Sequence, residues 1–240
     1  MPLCVYAIVR RPFGRRTVIR AAGGGSVRPV NARGTAAVVA DCRGPLAPTV
    51  AALRGHDRVV RRIAKVAPAI LPVRFGTLID SEQSLVKLLD AWSEELQKAL
   101  TLVDRHCQMT LRLFAPDGAV AAAREVDPAP LIDAASREVG DAETGTRPGT
   151  RYLTRRSRAN AAAQSAPELE PLRESLTPIV AAERITRHAR GPLILTAYHL
   201  IPRPAVTAYR RLLRKHAAEL RSRAAVSGPW PPYAFVPELR

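Results

Sequence analysis

No apolar run in this 240-residue chain approaches the roughly 20 residues that a membrane-spanning helix needs, so no membrane span is expected. Aromatic residues make up only 5% of the chain, which leaves Leu, Val, Ile and Ala to build the core. There are three cysteines, Cys4, Cys42 and Cys107, each within an apolar, strand-like stretch. Such sparse thiols read as buried and free in a reducing compartment, and the expected location is cytoplasmic. The opening Met1-Pro2-Leu3-Cys4-Val5-Tyr6 has no basic region ahead of an apolar one, so no signal peptide is expected.

Chemistry is also scarce. The five histidines (His56, His106, His188, His199, His216) are dispersed, with no H-x-x-x-H, and no C-x-x-C occurs. His106 and Cys107 are neighbours, but on a strand their side chains point to opposite faces, which disfavours shared ligation or a Cys–His couple. His56 and His216 sit on helical stripes, where a boundary histidine is usually structural. Gly23-Gly24-Gly25-Ser26 lacks the lysine and following helix of a phosphate loop, and reads as a flexible turn. Neither G-x-G-x-x-G nor a G-x-S-x-G elbow occurs. No acidic pair is placed for acid–base work. An enzyme is therefore not expected, and neither a cofactor nor a metal is.

What the chain does have is basic charge and a globular apolar content. Hydrophobic residues reach 47% and charged residues 24%. Lys and Arg total 37 against 21 acidic residues, a net charge of +16 that suits phosphate binding by counterion release. A basic nucleic-acid-binding module is therefore the alternative to weigh. The bland explanation is arginine scattered over solvated helix faces in an Ala/Arg/Pro-rich chain.

Periodicity gives an α+β succession. Leu3–Val9 and Gly34–Cys42 read as strands. From Val50, the residues Leu53, His56, Val59, Val60, Ile63 and Ala67 recur at helical spacing, with Arg58, Arg61, Arg62 and Lys65 on the other face; Pro68 ends the helix. Ala69–Gly76 reads as a short buried strand broken by Pro72. Within it, Arg74 between Val73 and Phe75 calls for a structural ion pair. Asp80 or Ser81 caps the next helix, and Gln83 can complete a capping box from Asp80. That helix carries one unbroken stripe: Leu85, Leu88, Leu89, Trp92, Leu96, Leu100 and Val103.

In the second part, His106–Phe114 alternates as a strand. Residues 115–148 read as a long, flexible Pro/Gly-rich insertion with at most a short helix near Leu131–Val139. Arg151–Leu176 is helical in tendency, Ala182–His188 is open between helix and strand, and Leu193–Ile201 is a strand. Val206, Tyr209, Leu213, Ala217 and Leu220 mark an amphipathic helix with Arg210, Arg211, Arg214, Lys215 and Arg221 outward. Ala224–Ser227 is a last short strand. The order matches two small α+β domains, 1–104 and 105–240, the second a ferredoxin-like split βαβ unit.

The closing stretch Gly228-Pro229-Trp230-Pro231-Pro232-Tyr233-Ala234-Phe235-Val236 stands out. Three aromatic rings are interleaved with three prolines, which fix φ and hold the rings at little entropic cost. Trp230, Tyr233 and Phe235 either staple the C-terminus onto the domain or project as an interaction patch.

Three stretches together resemble the gas vesicle accessory protein family GvpF/GvpL. Leu71-Pro72-Val73-Arg74-Phe75-Gly76-Thr77 is similar to the family's L-P-[LV]-R-F-G-T. Ala197-Tyr198-His199-Leu200-Ile201 is similar to its A-Y-L-V strand, with a histidine inserted. Gly228–Phe235 is similar to its G-P-W-P-P-Y-[SN]-F ending, with Ala234 where a polar residue is usual. Arg151-Tyr152-Leu153 is also similar to the family's Y-L segment. The resemblance implies a cytoplasmic, non-enzymatic protein that helps build gas vesicles and contacts the hydrophobic shell protein and other accessory proteins. It implies a strand at Ala182–His188. The candidate site for partner binding or the domain interface is Arg74, Phe75, Trp230, Tyr233 and Phe235.

Overall fold

A shift of parity inside the first strand sets the layers. In the computed structural model, which describes residues 1–13, 19–21, 24–115, 166–189, 191–216 and 223–238, β1 (Leu3–Arg10) pairs antiparallel with β3 (Thr35–Asp41). The register shifts between Val5 and Ala7. Leu3, Val5 and Ile8 therefore reach one face, while Cys4, Tyr6, Ala7 and Val9 reach the other. An extra residue at such a bulge swaps inside for outside, which is why β1 alternates only weakly in the sequence.

β1 is central, in the order β2-β3-β1-β4, with β5 on the far end of the β4 edge. β2 is Arg28–Asn31, β4 is Ile70–Pro72 and β5 is Leu78–Ile79. Neither β2 nor β5 is marked by apolar periodicity, since both are short edges whose burial comes from their neighbours. Helix α1 (Val50–Val66) covers one face through Val59, Val60 and Ile63. Its start is fixed by Thr49, whose hydroxyl accepts from the Ala52 amide at 3.2 Å.

The other face is covered by two helices where the stripe predicted one. α2 (Glu82–Ala91) and α3 (Ser93–Leu102) are separated at Trp92, with φ −107° and ψ 19°. Leu85, Leu89, Leu96 and Leu100 all stay buried on the sheet, so the stripe survives the break and does not disclose it. Leu88, expected on that stripe, is 42% exposed. Ser81 caps α2 by accepting from the Ser84 amide at 3.1 Å, in place of the capping box from Asp80.

Downstream, β6 (His106–Phe114), β7 (Ala182–Arg187), β8 (Leu193–Pro202) and β9 (Arg223–Trp230) form a second antiparallel sheet, ordered β7-β8-β6-β9. Ala182–Arg187 is thus a strand, as the resemblance implied. Helices α4 (Glu170–Leu176) and α5 (Val206–Lys215) pack on one face through Leu172, Leu176, Tyr209 and Leu213. From the opposite face, Leu200 joins the cluster formed by Leu3, Leu71 and Leu85, with Tyr198 packed against it. The two sheets therefore share one core. The expected insertion at 115–148, apart from Ala115, its helix near Leu131–Val139 and the Arg151–Tyr152–Leu153 segment lie outside the described residues, as do Ala217, Leu220 and Arg221.

Candidate functional site

β9 does not stop at Ser227. It continues to Trp230 through a register shift, with Thr110 opposite Ser227 and Gln108 opposite Trp230. The chain then leaves the sheet through buried Pro231 and Pro232 into a 3-10 turn, Tyr233–Phe235. Phe235 enters the shared core beside Leu71 and Leu200 at 3% exposure. Tyr233 packs instead against the cluster on the α1 face. Trp230 lies under the Arg61 guanidinium of α1, 4.2 Å from ring centroid to Cζ, and donates Nε1–H to Ser227 at 3.2 Å.

Polar contacts fix this strap. Gln108, buried in β6, accepts from the Ala234 amide at 2.8 Å and donates to Thr110 at 3.3 Å. Arg61 also pairs with Asp57 one turn earlier, at 2.6 Å. Burial pushes the Tyr233 phenol above its usual range, with the Asp57 carboxylate as a lesser cause. Arg210 of α5 donates to the Gly228 carbonyl.

The Leu71–Thr77 stretch meets the strap, since the Tyr233–Phe235 turn packs on β4. Beyond Pro72 the chain leaves the sheet. Val73 still donates to the Tyr6 carbonyl at 2.9 Å, and the Thr77 hydroxyl closes the turn onto the Arg74 carbonyl at 3.0 Å. His56 Nε2–H donates to the Val73 carbonyl at 3.0 Å; its ring stacks on Tyr6 and meets Phe75 edge-on. The expected ion pair of Arg74 is not found among the described residues. Arg74 lies in an exposed turn and not in a buried strand, so its side chain has no desolvation for a carboxylate to offset. Of the five candidate residues, Phe235 lies in the core shared by the two sheets, Tyr233 against the cluster on the α1 face, Trp230 under Arg61 of α1, Phe75 against His56, and Arg74 at the surface.

Further ties run between the sheets. Arg203, in the turn after β8, donates to the carbonyls of Ala67 at 2.8 Å and Pro68 at 3.1 Å, and to His106 at 3.4 Å. Under the second sheet, His199 is buried between Glu183 Oε1 (2.9 Å) and the Tyr209 hydroxyl (2.6 Å). Nε2–H donates to the carboxylate, while Nδ1 accepts from the Tyr209 hydroxyl in the singly protonated ring and donates to it in the doubly protonated one. Arg173 approaches Glu183 at 3.6 Å. This network was not legible from spacing, because only the β7–β8 register sets Glu183 opposite His199. Among the described residues no group of three His, Cys, Asp or Glu side chains is placed to hold a metal ion, and no helix is long and apolar enough to cross a membrane.

Two of these groups carry a pH signature. Burial lowers the His56 pKa from its ordinary 6.5. The hydrogen bond from His199, its charge and that of Arg173 lower Glu183 from 4.5, against burial. Both shifts are downward, so each group stabilises the fold above its unfolded-state pKa and loses that contribution as pH falls. Melting temperature should drop from about pH 7 downward, with a second loss below about pH 4.5. His56→Gln should flatten the upper segment and Glu183→Gln the lower. An upper segment unchanged in His56→Gln would remove His56 from this account.

A family model described as "Gas vesicle synthesis protein GvpL/GvpF" matches residues 3–237. The crystal structure of the gas vesicle protein GvpF from Anabaena sp. superposes with a TM-score of 0.71 at 14% identity, covering 100% of this chain and 97% of that one. The GvpF structure from Microcystis aeruginosa gives 0.71 at 13%, covering 98% and 99%. No curated protein sequence matches. At these identities the structural likeness speaks for the fold: mixed α+β, with two antiparallel sheets.

Proposed function

Because this chain belongs to the GvpL/GvpF family of gas vesicle synthesis proteins, we propose that it is a non-enzymatic accessory protein that binds the hydrophobic shell protein while vesicles form in the cytoplasm. The observation that carries this reading is the family match over residues 3–237, nearly the whole chain. Residues 1–104 and 105–240 are taken as two domains, the second ferredoxin-like, a reading supported by the strand order β7-β8-β6-β9 with both helices on one face. On this reading the five candidate residues divide the labour. Phe235, Tyr233 and Trp230 brace the two domains, Phe75 braces the turn, and exposed Arg74 is left for a partner. The brace matters because a scaffold that holds an aggregation-prone subunit needs a fixed relation between its parts.

The test is retention of detergent-solubilised shell protein on the immobilised full chain. The expected result is retention above that of an unrelated protein of equal net charge, reduced by Arg74→Glu with the melting temperature unchanged. Equal retention by the control protein would overturn the proposal.

A further inference from the structure

A shallow cleft of about 410 Å³ opens where the end of α1 meets the start of α5, lined by Val66, Ala67, Pro68, Arg105, Arg203 and Pro204. Its walls are apolar, and Val66 is 46% exposed there, one of the few large aliphatic side chains left in water among the described residues. Arg203 is held in the wall by three backbone carbonyls. Arg105 has φ +55°, uncommon for a residue with a Cβ, and is anchored by its amide to the Pro68 carbonyl at 2.8 Å; its side chain is exposed at the mouth.

The two helices that meet at this cleft carry their charge outward. α1 exposes Arg58, Arg62 and Lys65 and contains a single acidic residue, Asp57, already engaged by Arg61. α5 exposes Arg210, Arg211, Arg214 and Lys215 and contains no acidic residue. The strap joins the two faces, with Trp230 under Arg61 and the Gly228 carbonyl accepting from Arg210. Among the described residues, no ion pair is formed by Arg58, Arg62, Lys65, Arg211, Arg214 or Lys215. Some basic side chains elsewhere are paired, Arg28 with Asp41 and Glu82, Arg173 with Glu170 and Arg187 with Glu168, whereas α1 and α5 gather their unpaired cations on adjoining faces. Unpaired cations beside an apolar cleft suit an occupant with both anionic and apolar groups.

We propose that this cleft and the basic faces of α1 and α5 bind an acidic polypeptide segment that sets one apolar side chain against Val66, Pro68 and Pro204. The chemistry favours a polypeptide over a nucleic acid. Nucleic acids are held by phosphate contacts and by rings that stack on bases, and the rings at hand are already used. Trp230 is covered by Arg61, Phe235 and Tyr209 are buried, and Tyr233 packs on the α1 face. An aliphatic wall gives a base nothing, whereas it gives a leucine a place to leave water. The surface is distinct from the Arg74 turn and from the shell-protein reading, so either can fail alone.

The probe is a labelled synthetic peptide of about 15 residues, long enough to follow a helix of α1's length in part, glutamate-rich with one central leucine. It is compared on the full-length protein with the same peptide carrying serine for leucine and with a single-stranded oligonucleotide of equal charge. The leucine peptide should bind at low salt and weaken as salt is raised. The serine peptide should bind about tenfold more weakly. Arg211→Glu with Arg214→Glu should abolish binding while circular dichroism is unchanged. Equal affinity of the two peptides, tighter binding of the oligonucleotide, or no peptide binding at low salt would each overturn the proposal. The peptide pair is read on the unaltered protein, so the result does not depend on a variant folding.

Discussion

Phe235→Ala should lower stability by about 3–5 kcal/mol, the usual cost of removing a buried phenylalanine. For a chain of this length that corresponds to a fall of roughly 10 °C in melting temperature. The ring is 3% exposed and sits where three separate parts of the chain converge: Leu3 and Leu71 of the first sheet, Leu85 of α2, and Leu200 of the second sheet. None of these can close the gap without moving a strand or α2. The Arg184 guanidinium lies 5.7 Å from the ring and would also lose its partner. A second loss follows from the neighbouring residue. Once the turn loosens, the Ala234 amide withdraws from Gln108, whose side-chain oxygen is left buried without its donor. Phe235→Leu keeps most of the apolar volume and should cost about 1 kcal/mol. Urea unfolding checks both. A loss below 1 kcal/mol for the alanine variant would mean that Phe235 does not hold the sheets together.

Helix-period signals carried most of what the sequence disclosed. Val59, Val60 and Ile63 point one way along α1 because their spacing follows the helical turn, and that relation is local. Strand register is not local. The bulge in β1 that sends Tyr6 and Ala7 to the same face leaves only a blurred alternation behind it. For the same reason the Glu183–His199 contact needed the β7–β8 pairing to appear. The apolar-looking stretch from Leu71 extends the expectation of burial to Arg74, whereas the chain turns out of the sheet after Pro72 and leaves Arg74 exposed. The strap is a further case. Proline spacing announced stiffness and the rings announced apolar area, but whether a ring faces inward depends on residues more than a hundred positions away, such as Gln108 and Leu71. The local sequence therefore fits a staple and a patch equally, and the burial of Phe235 in the shared core decides for the staple at that ring.

Gly228→Ala should be the most damaging change of a single methyl group, about 3 kcal/mol, because two separate costs fall on it. The first is backbone conformation. Gly228 has φ +118°, a region that residues with a Cβ rarely enter. The second is contact. An added Cβ would stand 2.8 Å from the Gln108 carbonyl oxygen, 2.9 Å from Met109 Sδ and 3.2 Å from Trp230 Cδ1. The sulfur can swing aside on a flexible side chain, but the carbonyl belongs to β6, a central strand of its sheet, and can yield only if the strand moves. The register shift of the β6–β9 pairing, between Gln108 and Thr110, lies at this point. Gly76→Ala supplies the control. Gly76 has φ +82°, yet an added Cβ there meets nothing within 4 Å, so only the backbone cost of about 1 kcal/mol should appear. The excess of the first loss over the second, read from urea midpoints at equal slope, measures how tightly the strap is pressed onto β6. Equal losses would mean that β9 relaxes away from β6 freely, and that Trp230 is held against α1 by Arg61 and not by the strand.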